Sequence, residues 1–469
     1  MDVRGKKVLV VGAARSGLAA ARLLASHGAA VTVNDLKPEP QLEAEAAQLR
    51  DFGAQVAFGS HPEELFIGAD LIVLSPGIPT NIPPLEAARR ARVEVISEVE
   101  LAGRFLRGRL IGITGSNGKT TTTTLTGELM RAAGADTLVV GNIGTPFSSM
   151  VEQTRDNTWT VAELSSFQLE AIKTLRVNVA IVTNITPDHL DRHPTFADYV
   201  RAKHRIFLNQ TEADAAVLNG LDPAIADMVA ALGVKARTFY FSSRGPSLPS
   251  GGRADIYVRD GAIYTTMVTE GGAEVEVMPL AKIPLRGMHN VENIMAALAA
   301  VFCALGARED DLPVLRDAIA NFKGVEHRIE FVAEINGARY YNDSKATNVD
   351  STVKALEAFD NNIILILGGK DKGSDFTALA PLIRERVKRL ILIGAASEKI
   401  AKQLEGVCPQ TFALSMAEAV RLAADAAVAG DTVLLAPACA SFDMFDNYEH
   451  RGRVFKEEVR RLIDHYGEE

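Results

Sequence analysis

Short runs of Val, Ile and Leu alternate with alanine-rich stretches of helical spacing along all 469 residues, and this alternation leaves few folds open. A strand that is apolar on both faces must be covered on both faces, and intervening helices supply that cover. The expectation is α/β domains built on parallel sheets. "KKVLVVGAARSGLAAARLLASHGAAVTVND" reads as strand, glycine turn, helix and strand, and "ADLIVLSPGIP" as a further strand ending in a Pro/Gly turn. This first unit closes at residue 97. "RLIGITG" opens a second unit, with strands at "TWTVAEL", "VNVAIVTNI" and "AAVLNG", a polar β excursion over 236–284, and a long helix after "RGMHN". The junction "NFKGVEHRIEF" leads to a third unit whose buried strands are "NIILILGG", "RLILIGA" and "DTVLLAPA". Length alone predicts about three domains, and the boundaries expected here are 1–97, 98–324 and 325–469.

Charge narrows the ligands. The formal net charge is −9 with no basic run, which argues against a nucleic-acid surface. Any phosphate-bearing ligand must be met by local donors. "MDVRGKKVLVVGAARSG" enters a strand without the pattern of a signal peptide, and no apolar stretch approaches the roughly 20 residues of a membrane span. Cys303, Cys408 and Cys439 are too widely spaced for a disulfide framework or a metal cluster. The chain is expected to be cytoplasmic, with no membrane insertion.

In the first turn, Gly12 and Gly17 stand where a dinucleotide-binding turn has its outer glycines, but Ala14 replaces the middle one. That glycine normally lets the backbone approach a pyrophosphate. Asp35 ends the second strand, where an acid would take ribose hydroxyls. Three readings stay open: a tight strand-to-helix turn, a nicotinamide site disfavoured by Ala14, or a modified nucleotide site such as one for a UDP-linked substrate.

"IGITGSNGKTTTTTL" carries more information. A phosphate loop of the usual length has a glycine five positions before Gly118, and Ile113 stands there instead. Yet Gly115, Gly118, Lys119 and Thr120 follow a strand and precede a helix. In that context backbone N–H groups and the helix N-terminus cradle phosphate, the lysine reaches the outer phosphates, and the hydroxyl binds Mg²⁺. A shortened loop keeps all of these parts, so it is expected to bind nucleotide. Glu163, at the end of "TWTVAE", would reach the same sheet edge as a magnesium ligand or stand there solvated. "NITPDHLDRHPTF" packs Asp188, His189, Asp191 and His193 into six positions, a pattern that suits a metal site, acid–base groups or a self-bonded polar loop.

The helix in "TFADYVRAKHRIFL", capped by Thr195, has an inward stripe of Phe196, Tyr199/Val200, position 203 and Ile206/Phe207. Position 203 is a lysine. It would either snorkel outward or be neutralised or converted; reaction with CO₂ would make it a carbamate, an oxygen ligand that a second Mg²⁺ near His189 would stabilise.

The motifs "TGSNGKTT", "AELSSFQLE", "TNITPDHLDRH", the Lys203 helix, "HNVENIMAAL", "EHRIEF" and "YNDSKATN" resemble, in order, those of the Mur ligases, ATP-dependent amide-bond enzymes of peptidoglycan precursor synthesis. The resemblance implies a Rossmann-like N-terminal domain for a UDP-sugar, a P-loop-type central ATPase domain, and a Rossmann-like C-terminal domain for an amino acid. "GNIGTP" and "APACASFDMFDNYEHRGRVF" look like those of the member that adds D-glutamate. That implies ATP and Mg²⁺ as cofactors, UDP-N-acetylmuramoyl-L-alanine and D-glutamate as substrates, and a monomer.

Roles implied by the resemblance follow residue by residue. Gly115, Ser116, Asn117, Gly118, Lys119, Thr120 and Thr121 would hold ATP together with Asn293, Arg328 and Asp343, the last at the ribose. Thr120 and Glu163 would take the first Mg²⁺, and His189 and carbamylated Lys203 the second. Lys119, His189 and Lys203 would be catalytic. Ser16, Asp35, Lys37 and Asn142 would face the UDP-sugar. Lys345, Thr347, Lys372, Ser441, Phe442 and Tyr448 would face the amino-acid end. Alternatives are a sister ligase of other specificity, an L-glutamate variant, folylpolyglutamate synthetase, a nicotinamide dehydrogenase, or a nucleotide-regulated binding module without catalysis. Folylpolyglutamate synthetase lacks the roughly hundred-residue unit that precedes the loop here.

Overall fold

The structure is a computed structural model describing residues 1–142, 144–189, 192–306, 308–371 and 373–466, with side chains through 463. Strands form where the sequence alternation placed them. The first sheet holds β1 (Lys7–Val11), β2 (Ala30–Asp35), β3 (Gln55–Phe58), β4 (Leu71–Leu74) and β5 (Glu94–Ser97). Its order is β3-β2-β1-β4-β5, and every pair is parallel.

The central sheet begins with β6 (Arg109–Thr114), β7 (Thr137–Gly141), β8 (Trp159–Glu163), β9 (Val179–Val182) and β10 (Ala215–Asn219). It continues with β11 (Arg237–Ser242), β12 (Ile256–Arg259), β13 (Ala262–Thr265) and β14 (Val275–Pro279). The order is β14-β13-β12-β11-β10-β9-β6-β8-β7. The polar excursion expected over 236–284 is therefore part of this sheet, and it turns antiparallel at β12. β6 lies between β8 and β9, so its C-terminal end stands at the switch in strand order where α/β sheets place ligands.

The third sheet contains β15 (Glu330–Ile335), β16 (Ala338–Asn342), β17 (Ile363–Gly368), β18 (Val387–Ile393), β19 (Gln410–Ala413) and β20 (Thr432–Leu435). Its order is β15-β16-β20-β17-β18-β19, with only the β15–β16 pair antiparallel. The central strand β17 is buried along its whole length, and Ile363–Leu367 are all fully enclosed.

By contacts the chain forms two compact units. One is Met1–Lys282 with Glu292–Asn321; the other is Ile283–Val291 with Phe322–Glu469. The first two sheets thus share a unit, joined by the Glu98–Phe105 helix. Buried Glu98 Oε1 accepts from Ser148 N at 2.7 Å. Fully buried Glu100 accepts from the backbone N–H groups of Lys173, Thr174 and Leu175 at 2.9–3.0 Å. Among the described residues one helix, Met288–Leu305, is long and apolar enough to cross a membrane. Its residues Ile294–Val301 are all buried, as in the core helix of an α/β fold.

Candidate active site

The short loop has a simple cause: position 113 belongs to strand β6, which runs to Thr114. Ile113 is a fully buried strand residue, opposite Glu163 on β8 and Ile181 on β9. The turn is then made by residues 115–118 alone. Gly115 has φ +145°, and a Cβ there would stand 2.0 Å from Thr183 Oγ1. Gly118 has φ +81° and caps the Lys119–Ala132 helix; its Cβ would meet Asn293 Oδ1 at 2.3 Å. Only glycine fits either position.

The segment after β9 stitches the loop in place. Ser116 N donates to Asn184 O and Asn117 N to Asn184 Oδ1, both at 2.8 Å. Thr183 Oγ1 donates to Asn117 O at 2.6 Å, and Ser116 Oγ to Thr186 O at 2.9 Å. Lys119 Nζ lies across the turn, donating to Gly115 O at 2.9 Å and Ser116 O at 2.8 Å. Thr120 Oγ1 donates to Glu163 Oε2 at 2.9 Å, and Asn142 Nδ2 donates to Glu163 Oε1 at 2.8 Å. Asn293 accepts from Thr122 Oγ1 at 3.2 Å. Thr120, Glu163, Asn142, Lys119 and Asn293 are therefore gathered at one loop.

Lys203 joins them. Thr195 caps its helix, Phe196–His204, in a reciprocal capping box with Asp198. The inward stripe holds: Tyr199 and Lys203 are each 1% exposed. The lysine does not snorkel. Its Nζ donates to Gly115 O at 2.7 Å and lies 4.4 Å from the centre of the Tyr199 ring. Burial, and then the Lys119 ammonium, hold its pKa well below the ordinary 10.5, against the pull of Asp188 and Glu163. The amine is thus disposed to be neutral, and a neutral amine is the form that adds CO₂. Tyr199, which the sequence showed only as one apolar position, also places its hydroxyl 3.1 Å from Ser116 Oγ.

The acidic–histidine cluster divides. His189 has φ +54° and a half-exposed side chain, and its backbone N–H donates to Asp188 Oδ1 at 2.8 Å. His193 is 4% exposed and is structural: Nε2 lies 3.0 Å from Ser166 Oγ and Nδ1 3.6 Å from Glu170 Oε1. Burial keeps its imidazole below the ordinary pKa. Asp191 lies outside the described residues. Sequence reasoning missed Arg192, which donates to Glu170 Oε2 at 2.8 Å and to Ile78 O at 3.0 Å, tying this loop to the turn after β4.

In the first sheet, Asp35 accepts from Ala13 N and Lys37 N, both at 2.9 Å. Its carboxylate therefore shapes the turn in which half-buried Ser16 lies, while Lys37 is exposed. Arg15 Nη1 donates to Gly144 O at 3.3 Å, connecting that turn to the loop that carries Asn142.

The second unit gathers its own set. Asp343 follows β16, is 5% exposed, and accepts from Ile329 N at 3.3 Å. Burial raises its carboxyl to about 6, opposed chiefly by Arg328. Lys345 Nζ lies 5.3 Å from the centre of the Tyr448 ring. Ser441 is buried, Thr347 is half-buried and Phe442 is exposed. Lys372 lies outside the described residues. Among the described residues one further cluster has ligand atoms close enough for a metal: Glu326, His327 and Glu330. Lys456 Nζ already bridges its two carboxylates, at 2.5 and 2.9 Å.

Three family models match the chain: the Mur ligase MurD-like N-terminal domain over residues 6–97, the Mur ligase middle domain over 113–301, and the Mur ligase glutamate ligase domain over 327–439. The UDP-N-acetylmuramoylalanine–D-glutamate ligase of Koribacter versatilis is 50% identical over 464 residues, covering 99% of both chains. That of Acidobacterium capsulatum is 49% identical, covering 98% of this chain and 97% of the relative. Among solved structures, the UDP-N-acetylmuramate-alanine ligase of Thermotoga maritima superposes with a TM-score of 0.60 at 19% identity, over 97% of this chain and all of that one.

Proposed function

This chain belongs to the Mur ligase family, and from that premise we propose that it joins D-glutamate to UDP-N-acetylmuramoyl-L-alanine at the expense of ATP, releasing ADP and phosphate. The observation that carries the reading is that Lys119 and Lys203 both donate to Gly115 O of one four-residue turn, while Thr120, in the first turn of the helix that follows it, donates to Glu163.

The chemical problem is that a carboxylate is a poor electrophile. Transfer of the γ-phosphoryl group to the alanyl carboxylate breaks a P–O bond of ATP and makes an acyl phosphate, whose phosphate can leave. The amine of D-glutamate then attacks the acyl carbon; the tetrahedral adduct loses phosphate and a proton to give the amide. Lys119 meets the outer phosphates by giving up its two loop carbonyls, and the N-terminus of the Lys119–Ala132 helix adds its dipole. Gly115 and Gly118 let the backbone approach the phosphate oxygens.

The donors present fit Mg²⁺, a hard cation that takes oxygen ligands. The Thr120 hydroxyl and Glu163 carboxylate already touch at 2.9 Å. When bound, Mg²⁺ supplies positive charge that offsets the approach of two anions. A second site at His189 and Lys203 suits the ion only once the Lys203 amine carries a carbamate, and its depressed basicity favours that modification.

We assign Asn293, Arg328 and Asp343 to ATP, and Ser16, Asp35, Lys37 and Asn142 to the UDP-sugar. Lys345, Thr347, Lys372, Ser441, Phe442 and Tyr448 are assigned to the amino-acid end. The division of labour follows domains 1–97, 98–324 and 325–469. ATP and a UDP-linked precursor are intracellular metabolites, so we place the reaction in the cytoplasm. The test is phosphate release from ATP with UDP-N-acetylmuramoyl-L-alanine, comparing D-glutamate, L-glutamate, L-alanine and diamino acids. Release dependent on D-glutamate is expected. Release with no amino-acid dependence, or with another amino acid preferred, overturns the assignment.

A further inference from the structure

Among the described residues, one of the largest fully buried side chains is an arginine that the reaction scheme above does not use. Arg451, in the Tyr448–Tyr466 helix, is 1% exposed. Its Nε donates to Ser344 Oγ at 2.9 Å and its Nη2 to Ser344 O at 2.7 Å. Its Nη1 donates to Cys439 O at 3.1 Å and Ala440 O at 3.3 Å. Among the described residues, no carboxylate forms an ion pair with it; every partner is a carbonyl or a hydroxyl. Burial lowers its pKa to about 10, the mark of a cation that the fold holds at a cost.

Two observations say what the fold gains. Ser344 directly precedes Lys345, and Cys439–Ala440 directly precede Ser441 and Phe442. These segments leave the C-terminal ends of β16 and β20, which are adjacent parallel strands, and that is where an α/β sheet presents its ligand. The backbone there is also strained: Ala438 has φ +55°, a left-handed conformation that non-glycine residues rarely adopt. Room for the guanidinium comes from Gly369, where a Cβ would stand 2.3 Å from Ala440 O and 3.1 Å from Arg451 Nη1.

We propose that Arg451 is a positioning residue for the amino-acid substrate: its fork clamps the Ser344 and Cys439–Ala440 segments together, and so sets the spacing of Lys345 and Ser441. The proposal deepens the assignment above and rests on it. An apolar side chain of similar length would join helix to sheet without burying a charge, so stability alone does not account for arginine here. In a planar trans peptide the N–H points opposite the C=O. Ala440 O accepts from Lys370 N at 2.8 Å as well as from the guanidinium, and between them these donors fix the peptide plane so that the Ser441 N–H points away from Arg451. D-glutamate carries two carboxylates, and a pair of loops bearing a lysine and a serine discriminates among such ligands by their separation. Lysine cannot replace the fork, because one ammonium cannot bond both segments in fixed geometry.

The test compares wild type, Arg451→Met and Arg451→Lys as full chains. KM for D-glutamate is expected to rise at least about tenfold in both variants, with KM for ATP and for the UDP-sugar within about threefold. Hydrogen exchange over 344–347 and 439–442 is expected to quicken while exchange in β17 does not. If KM for D-glutamate stays within about twofold of wild type, or all three KM values rise together, the proposal is wrong. Should Arg451→Met fail to fold, Ser344→Ala removes one acceptor and leaves the backbone; unchanged KM for D-glutamate in that variant also overturns it. A wild type lacking D-glutamate-dependent phosphate release would defeat the functional assignment, whereas unchanged exchange in Arg451→Met would defeat the clamp.

Discussion

Asp343 offers a prediction in which stability and activity move in opposite directions. Its carboxyl sits 5% exposed with a pKa of about 6, against an ordinary 3.8. Between those values the folded chain keeps a proton that the unfolded chain has released, so the folded state binds more protons and stability falls as pH rises. The contribution is complete below about pH 4 and is lost as pH passes through about 6. At about 1.4 kcal/mol per decade of acidity, the carboxylate costs the fold ~3 kcal/mol at neutral pH. Asn copies the shape of the neutral acid and keeps an oxygen to accept from Ile329 N–H. Asp343→Asn should therefore stabilise the C-terminal unit by ~3 kcal/mol at pH 7.5 and by almost nothing at pH 4. Urea unfolding of the full chain, followed by hydrogen exchange in peptides spanning β15 and β16, reads this unit specifically. The same variant should raise KM for ATP about tenfold, since an ionised acceptor for ribose is lost. A stability difference that is flat between pH 4 and 7.5, or that grows toward acid, would refute the reasoning. Either result would mean that Asp343 is ionised in the fold at little cost.

Two further substitutions probe the loop. Lys203→Ala and Lys203→Arg should each lower kcat by about 10²–10³-fold with the fold retained by circular dichroism, because neither side chain can become an oxygen ligand; an active Arg variant would remove the carbamate from the account. Gly118→Ala must hold a left-handed alanine, costing about 1–2 kcal/mol before the contact with Asn293 Oδ1 is relieved. Unfolding followed by fluorescence of Trp159, the chain's single tryptophan and a residue of β8, should show at least that loss together with weaker ATP binding; unchanged stability would place the glycine's value elsewhere.

The architecture was legible in the sequence because buried parallel strands must be written as apolar runs, and three sets of such runs became three sheets. The phosphate loop was legible for a related reason. A turn that approaches phosphate has few residue choices, and the anomaly at Ile113 resolves once β6 is seen to extend to Thr114. What could not be read was anything that depends on two distant segments meeting. Arg192 links the loop after β9 to a carbonyl after β4, 114 residues away. Asp35, read by position as a ribose acceptor, also accepts from the backbone N–H of Lys37 in its own turn and from that of Ala13, 22 residues earlier, in the turn after β1. The four-residue cluster at 188–193 could not be divided from spacing alone, because Ser166 and Glu170, which claim His193, come from an earlier helix and its C-terminus.

An inward-facing cation on an apolar stripe is a signal the sequence carries twice. Lys203 drew attention as a cation on an inward stripe, and burial bore that out. The final helix repeats the pattern: Arg451, Phe455, Val459 and Leu462 fall on one face, with the first three at most 1% exposed. The same test applied there marks Arg451 as a buried charge without any structure. Whether such a residue snorkels or stays depends on its length against the depth of the face, and on the carbonyls it can reach. Lys203 stays because Gly115 O lies 2.7 Å from its amine; Arg451 stays because its fork spans three carbonyls and a hydroxyl. In both places a long basic side chain satisfies carbonyls of a turn whose neighbouring residues bear the proposed ligand contacts. In this chain an inward lysine or arginine at a sheet's C-terminal edge is thus better read as turn support for a site than as an error in the stripe.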